Sequence, residues 1–334
     1  MKIPGGTVAG IPEGFKELCF STRDAVLNYV LGPDNGLPLL LIPGQMESWQ
    51  GYKRVLPELS KRFQVFVPDL RGHGKSTWTP GRYSYNICGN DLRNFMAEVI
   101  RRPAIVAGLS SGGVLAIWLA ANAPGDVLAV VAEDPPIFSS VWPRIQKEKF
   151  LVRNFENAVE ILGKPGPRDL EGYFAEMGIP VKGKPDILKI PPFIVKAIFL
   201  LYRLNRKLRP QSPYDAPLLP FNIRAGFKFL SEYDTDFSRA TIDGDLSKDF
   251  DPEETLKRVK CPMLLMRVQA TRDQTWGILG AIDANDLERI TSLVPDLRCV
   301  QSSGGHEIHL MQPRKYIEEL TGFVDGLRLK KALP

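Results

Sequence analysis

A chain of 334 residues in which 44% of the side chains are hydrophobic can bury a sizeable core, which excludes an intrinsically disordered protein. Its 43 basic and 38 acidic residues leave a net charge of only +5. The basic clusters, at residues 203–209 and at Lys330 and Lys331, are solvated faces rather than a nucleic-acid footprint. Cys19, Cys88, Cys261 and Cys299 form no Cys-x-x-Cys pair, which argues against a disulfide framework or a zinc site and for a reducing compartment. Residues 1–6 lack the apolar centre of a secretory signal, and the longest apolar stretch, 193–202, is short and interrupted by Lys196. A soluble cytoplasmic protein without stable membrane insertion is therefore expected.

In chain order, residues 17–20 and 25–31 are predicted as paired strands. Residues 37–42 form an unbroken apolar run that suits a strand buried on both faces. A helix at 52–60, a strand at 63–67, a helix at 90–100, a strand at 104–107, a helix at 112–121 and a strand at 127–132 follow. Such alternation requires a mostly parallel sheet with helices on both faces, because parallel neighbours need crossover connections. After Pro135-Pro136 the rhythm stops. Residues 137–255, with helical patterns at 150–162 and 194–208, are expected to form an inserted helical cap. The alternation resumes with a strand at 262–268, a helix at 286–293, a strand at 297–301 and a closing helix at 314–327. The core domain would thus combine residues 1–136 and 256–334.

Gly108-Leu109-Ser110-Ser111-Gly112-Gly113 lies between an apolar strand and a helix-forming run, the context of a nucleophile elbow. Small residues two positions either side of Ser110 relieve clashes in the tight turn, and the helix N-terminus favours developing negative charge. A serine hydroxyl needs a base to take its proton, and the chain offers three histidines. His73 falls in Asp69-Leu70-Arg71-Gly72-His73-Gly74-Lys75-Ser76, where Asp69 replaces the first glycine of a phosphate-binding loop, and is read as part of a structural turn. His306 and His309 follow the last strand, without the further ligands a metal would need.

In Pro43-Gly44-Gln45, the 69–76 turn, the elbow at Ser110 and Gly305-His306, and above all in their order, the chain resembles the α/β-hydrolase family over nearly its whole length outside the cap. The resemblance implies an α/β-hydrolase fold, Ser110 as nucleophile, His306 as base, and the backbone N–H groups of Gln45 and Ser111 as oxyanion hole; His309 would be packed nearby. Where many relatives carry His-Gly this chain has Pro43-Gly44, which matters little when the backbone donates. A carboxylate must also orient the imidazole. Most relatives place it after the strand equivalent to 262–268, where Gln269 to Thr271 stand and Asp273 comes late. Others, including haloalkane dehalogenases and fungal lactone hydrolases, place it after the sixth strand, where Glu133 and Asp134 stand. Asp134 is the favoured candidate, with Glu133 and Asp273 as alternatives.

The cap carries Tyr173, Phe174, Phe193, Phe199, Tyr202, Phe221, Phe227, Phe229 and Tyr233, which could contact a bulky apolar substrate or simply pack a core. Residues 194–208, apolar then basic, suit a membrane surface or a second subunit, which admits a homodimer. The resulting expectation is a serine hydrolase of an apolar carboxylic ester or lactone, acting without cofactor or metal. C–C bond or amide hydrolysis, or a slow-turnover ligand sensor, are the alternatives. Dehalogenation and epoxide opening are disfavoured, because in this family both use a carboxylate at the elbow.

Overall fold

The computed structural model describes residues 7–8 and 10–329; the hexapeptide weighed as a signal and the tail lysines Lys330 and Lys331 lie outside them. The first half of the chain forms β1 (Lys16–Ser21), β2 (Val26–Leu31), β3 (Leu37–Ile42), α1 (Leu56–Leu59), β4 (Phe63–Pro68), α2 (Tyr85–Phe95), β5 (Ala104–Leu109), α3 (Ser111–Asn122) and β6 (Val127–Glu133). The middle contains α4 (Lys149–Asn157), α5 (Leu170–Glu176), β7 (Gly178–Pro180), β8 (Ile187–Lys189), α6 (Pro192–Leu208), α7 (Phe221–Ser231) and α8 (Asp236–Asp243). The chain closes with α9 (Pro252–Lys257), β9 (Met263–Val268), β10 (Thr271–Asp273), β11 (Gly277–Leu279), α10 (Ala284–Leu293), β12 (Leu297–Ser302), α11 (Ile308–Met311) and α12 (Pro313–Leu329).

Eight strands pair in the order β1-β2-β4-β3-β5-β6-β9-β12, and β2 alone runs against the rest. Every residue of β5 is buried, as an unbroken apolar strand at the centre of a two-faced sheet must be. One face packs against α2, α3 and residues of α8 such as Phe237; the other packs against α1 and α12 through Leu56, Tyr316 and Leu320. This is the mostly parallel α/β-hydrolase architecture, with helices on both faces.

Local chemistry explains where the elements depart from their expected limits. The helix expected at 52–60 is split into a 3₁₀ segment, Trp49–Arg54, and α1, because Pro57 is tolerated only in the first turn of a helix. The helix expected at 90–100 begins at Tyr85, where the preceding Ser84 accepts the Ile87 N–H at 3.1 Å, and it continues as a π turn to Ile100. Residues 137–255 are not purely helical, since β7 and β8 pair as a short hairpin. Phe174, Phe199, Tyr202 and Phe227 interlock in a separate apolar cluster, their ring centroids 4.3–6.0 Å apart where they meet.

The turn after β4 is fixed by a buried cation. Arg71 donates from Nε and Nη2 to Asp91 on α2 at 2.6 and 2.8 Å, and from Nη2 to Asp24 at 3.0 Å. A guanidinium matches the carboxylate fork, and removing it would leave Asp91 charged without a partner. Arg71→Ala is expected to lower stability by about 3 kcal/mol in urea unfolding, and Arg71→Met combined with Asp91→Leu to recover part of the loss.

Candidate active site

The six residues of β5 run straight into α3, and the junction is Ser110, at φ 53° and ψ −121°. Few non-glycine residues adopt that backbone, so the turn must be held from outside. Its N–H donates to the Glu133 carbonyl at 2.8 Å. The surrounding glycines are required sterically: a Cβ on Gly108 would run into the Gly112 carbonyl, and one on Gly112 into the carbonyls of Ile42 and Pro43. The backbone of the β3 exit and the elbow are therefore in near contact. Ser111 is the first residue of α3, so its N–H has no carbonyl of an earlier helical turn to bond.

His306 sits between β12 and α11. Its Nδ1 lies 2.6 Å from Asp134 Oδ2. Asp134 follows β6 in a left-handed conformation, φ 43°. It is anchored by its own N–H to the Met266 carbonyl at 2.7 Å, and by the Val268 N–H donating to Oδ1 at 3.1 Å. The parallel pairing of β6 with β9 thus continues past the strand end and fixes the carboxylate. Burial opposes the charged imidazole of His306. The Asp134 hydrogen bond and charge outweigh burial, with Glu307 and Glu133 adding to them, and raise its pKa to about 9.

The other two carboxylates go elsewhere. Glu133, the last residue of β6, accepts the His309 N–H at 2.8 Å and meets His309 Nδ1 at 2.9 Å. Asp273 accepts backbone N–H groups of Gly183, Thr275 and Trp276 at 2.7–3.1 Å, and these hold its carboxyl below the usual range. Neither is bonded to His306. His309 is fully buried and stacks on Tyr52 with centroids 4.1 Å apart. His73 is buried as well, donates from Nδ1 to the Arg71 carbonyl, 3.0 Å away, and contacts Tyr233 and Phe237; burial lowers its pKa to about 4.

Ser110, Ser111, Gln45 and His306 line one cavity of about 320 Å³, together with Tyr85. The Gln45 side chain donates to Tyr233 Oη at 2.9 Å and accepts from Thr241 Oγ1 at 3.2 Å, tying the loop after β3 to residues beyond α7. Of the nine aromatic residues singled out in the sequence, Tyr173 alone borders this cavity. Phe174, Phe199, Tyr202 and Phe227 pack one another, Phe221 and Phe229 cover Leu310, Tyr233 lies against His73, and Phe193 is exposed. Phe150, Leu151 and Phe155 of α4 line the cavity instead. Their spacing on one face of a helix with no fully buried residue is the signal that marks them.

A model of the α/β hydrolase fold matches residues 38–158. The chain is 31% identical over 210 residues to the pimeloyl-[acyl-carrier protein] methyl ester esterase of Nitrosomonas europaea, a match covering 60% of this chain and 70% of that protein. The chain belongs to the α/β-hydrolase family. This α/β hydrolase is also 38% identical over 94 residues to the magnesium-chelatase 30 kDa subunit of Rhodobacter capsulatus, covering 28% of this chain and 33% of that one. It spans about a third of the length of several curated relatives that it matches. In structure it resembles a carboxylesterase from Bacillus subtilis, with a TM-score of 0.65 at 19% identity over 94% of this chain and 93% of the other.

Behind the cavity of this α/β hydrolase, Glu47 is buried beside His309: a Cβ placed on Gly51 would meet Glu47 Oε2 at 3.2 Å and His309 Nε2 at 3.4 Å. Burial pushes the Glu47 carboxyl up to about 7, against the opposing pull of His309. A carboxyl raised in the fold contributes its stability at low pH, below its unfolded value, and loses it as pH rises through about 7. Glu47→Gln removes that titration. The variant's melting temperature relative to the parent is expected to be higher at pH 8 than at pH 5; an equal difference at both would contradict the assignment.

Proposed function

We propose that the chain is a serine hydrolase that cleaves the carboxylic ester or lactone of a bulky apolar small molecule. The observation that carries this reading is the His306 Nδ1 to Asp134 Oδ2 contact of 2.6 Å, with His306 and Ser110 on the wall of the same cavity. With Nδ1 committed to the carboxylate, Nε2 is the nitrogen left to exchange a proton with the substrate side. Neutral His306, which becomes the main form only above its pKa of about 9, takes the proton of Ser110 Oγ as Oγ bonds to the carbonyl carbon. The oxyanion that forms is held by the N–H groups of Gln45 and Ser111, each contributing about 3 kcal/mol. On collapse the C–O bond to the alcohol breaks, and His306 returns the proton to that oxygen. Water then attacks the acyl-enzyme, giving its proton to His306, and Ser110 leaves with it as the acid is released.

Residues 137–255 are assigned the role of a lid, and Phe150, Phe155, Tyr173 and Met177 give the cavity its apolar side. Esterases and lipases among the relatives support ester cleavage. A soluble epoxide hydrolase also appears among them. Serine at the elbow favours the acyl-enzyme route over the carboxylate route expected for epoxides.

A fluorophosphonate probe is expected to label Ser110, located by mass spectrometry, and Ser110→Ala to abolish labelling and aryl-ester turnover. Asp134→Asn should lower kcat by about 10⁴-fold, whereas Glu133→Gln and Asp273→Asn leave it within about tenfold. A large kcat loss at Glu133 or Asp273 with none at Asp134 would reassign the acid.

A further inference from the structure

Helix α6 has two apolar stripes. Val195, Phe199 and Tyr202, four and three residues apart, face inward and join the aromatic cluster of the cap. Phe193, Ala197, Leu200, Leu204 and Leu208 recur at intervals of four, three, four and four on the opposite side, and all are exposed. Phe193 is 73% exposed and Leu208 68%. Across a shallow groove from Leu204 and Leu208 stands Leu218, at 79%. Scattered exposed leucines are ordinary, but an apolar stripe that runs the length of a helix, four of its five members large, is the mark of a docking face.

The charges beside the stripe identify the occupant. Residues 192–209 contain five basic side chains and no acidic one, which equals the net charge of the whole chain, +5. On the helical wheel Lys196, Arg203 and Lys207 fall along one edge of the outward stripe. Arg203 is shared with Glu171 of α5, at 2.5 Å. Long basic side chains beside an apolar stripe can reach lipid phosphates while their stems lie against the acyl boundary. Two copies meeting through this face would bring basic residues together with no carboxylate on α6 to pair them. The helix has 17 residues, and no helix among the described residues is long and apolar enough to cross a membrane. The face therefore suits an interface parallel to a bilayer rather than a span.

We propose that the outward face of α6 docks the protein on an anionic lipid bilayer. The binding does not depend on which bond the enzyme cleaves. The test is flotation of the full chain with vesicles of phosphatidylcholine alone and with vesicles of equal parts phosphatidylcholine and phosphatidylglycerol. The bound fraction is expected to be about tenfold greater on the anionic vesicles and to fall as salt is raised. Leu200→Glu with Leu204→Glu should release the protein from both kinds of vesicle. Lys196→Gln with Lys207→Gln should remove the preference for phosphatidylglycerol. All four side chains point to solvent, so the variants should keep the parent melting temperature, which separates lost docking from lost folding. The proposal is overturned if the chain floats with neither vesicle or if the variants bind as the parent does. It is also overturned if sedimentation shows a dimer that Leu204→Glu disperses.

Discussion

One hydrogen bond, from His306 to Asp134 across 172 residues of sequence, ties the loop after β12 to the end of β6, with only β9 between the two strands in the sheet. Neither partner is held by its own segment alone. Asp134 is placed by the backbone of β9, through Met266 and Val268, and so depends on the register of β6 against β9. His306 depends on the loop leaving β12, whose far end is pinned where Glu133 receives the N–H of His309. Two acid–imidazole pairs thus lie side by side: consecutive carboxylates, 133 and 134, meet histidines three positions apart. The inner pair is fully buried, while the His306 side chain is 42% exposed toward the cavity. In the proposed mechanism this difference in access, more than any difference in residue type, separates the imidazole that exchanges protons with the substrate from the one that fixes a loop.

Much of this arrangement is legible in the sequence because it rests on local rules. The run Leu37–Ile42 has the limits its apolar content implies, and the glycines around Ser110 announce a turn that a Cβ would obstruct. The choice between Glu133 and Asp134 is not local. Both are acidic and adjacent, and the left-handed backbone at Asp134 turns it toward His306 while Glu133, still in the strand, points to His309. Asp273 looks eligible by position, yet its oxygens are taken by the N–H groups of its own hairpin turn and of Gly183. The cap aromatics were the least legible feature. Composition says that such residues are buried, but whether a ring faces a cavity or another ring is decided by helix packing, and Phe174 and Tyr173 are neighbours with different outcomes.

The region between β6 and α9 has two sides in the proposed picture. Inward, α4 supplies the apolar wall of the catalytic cavity, and Gln45 is bonded to Tyr233 and Thr241, so the loop that carries one oxyanion donor is coupled to the lid. Outward, α6 presents a second hydrophobic stripe edged with positive charge. An apolar substrate dissolved in a bilayer would meet the enzyme on that outer side, which gives the basic character of the helix a use that packing alone does not.

The coupling of His306 to Asp134 is most directly measured by titrating the His306 ring by NMR in the parent and in Asp134→Asn. The account predicts a pKa near 9 in the parent, since the carboxylate favours the cation, and a clearly lower one in the variant, where Glu307 and Glu133 alone are left to oppose burial. An unchanged pKa in the variant would contradict it, because the imidazole would then owe nothing to Asp134.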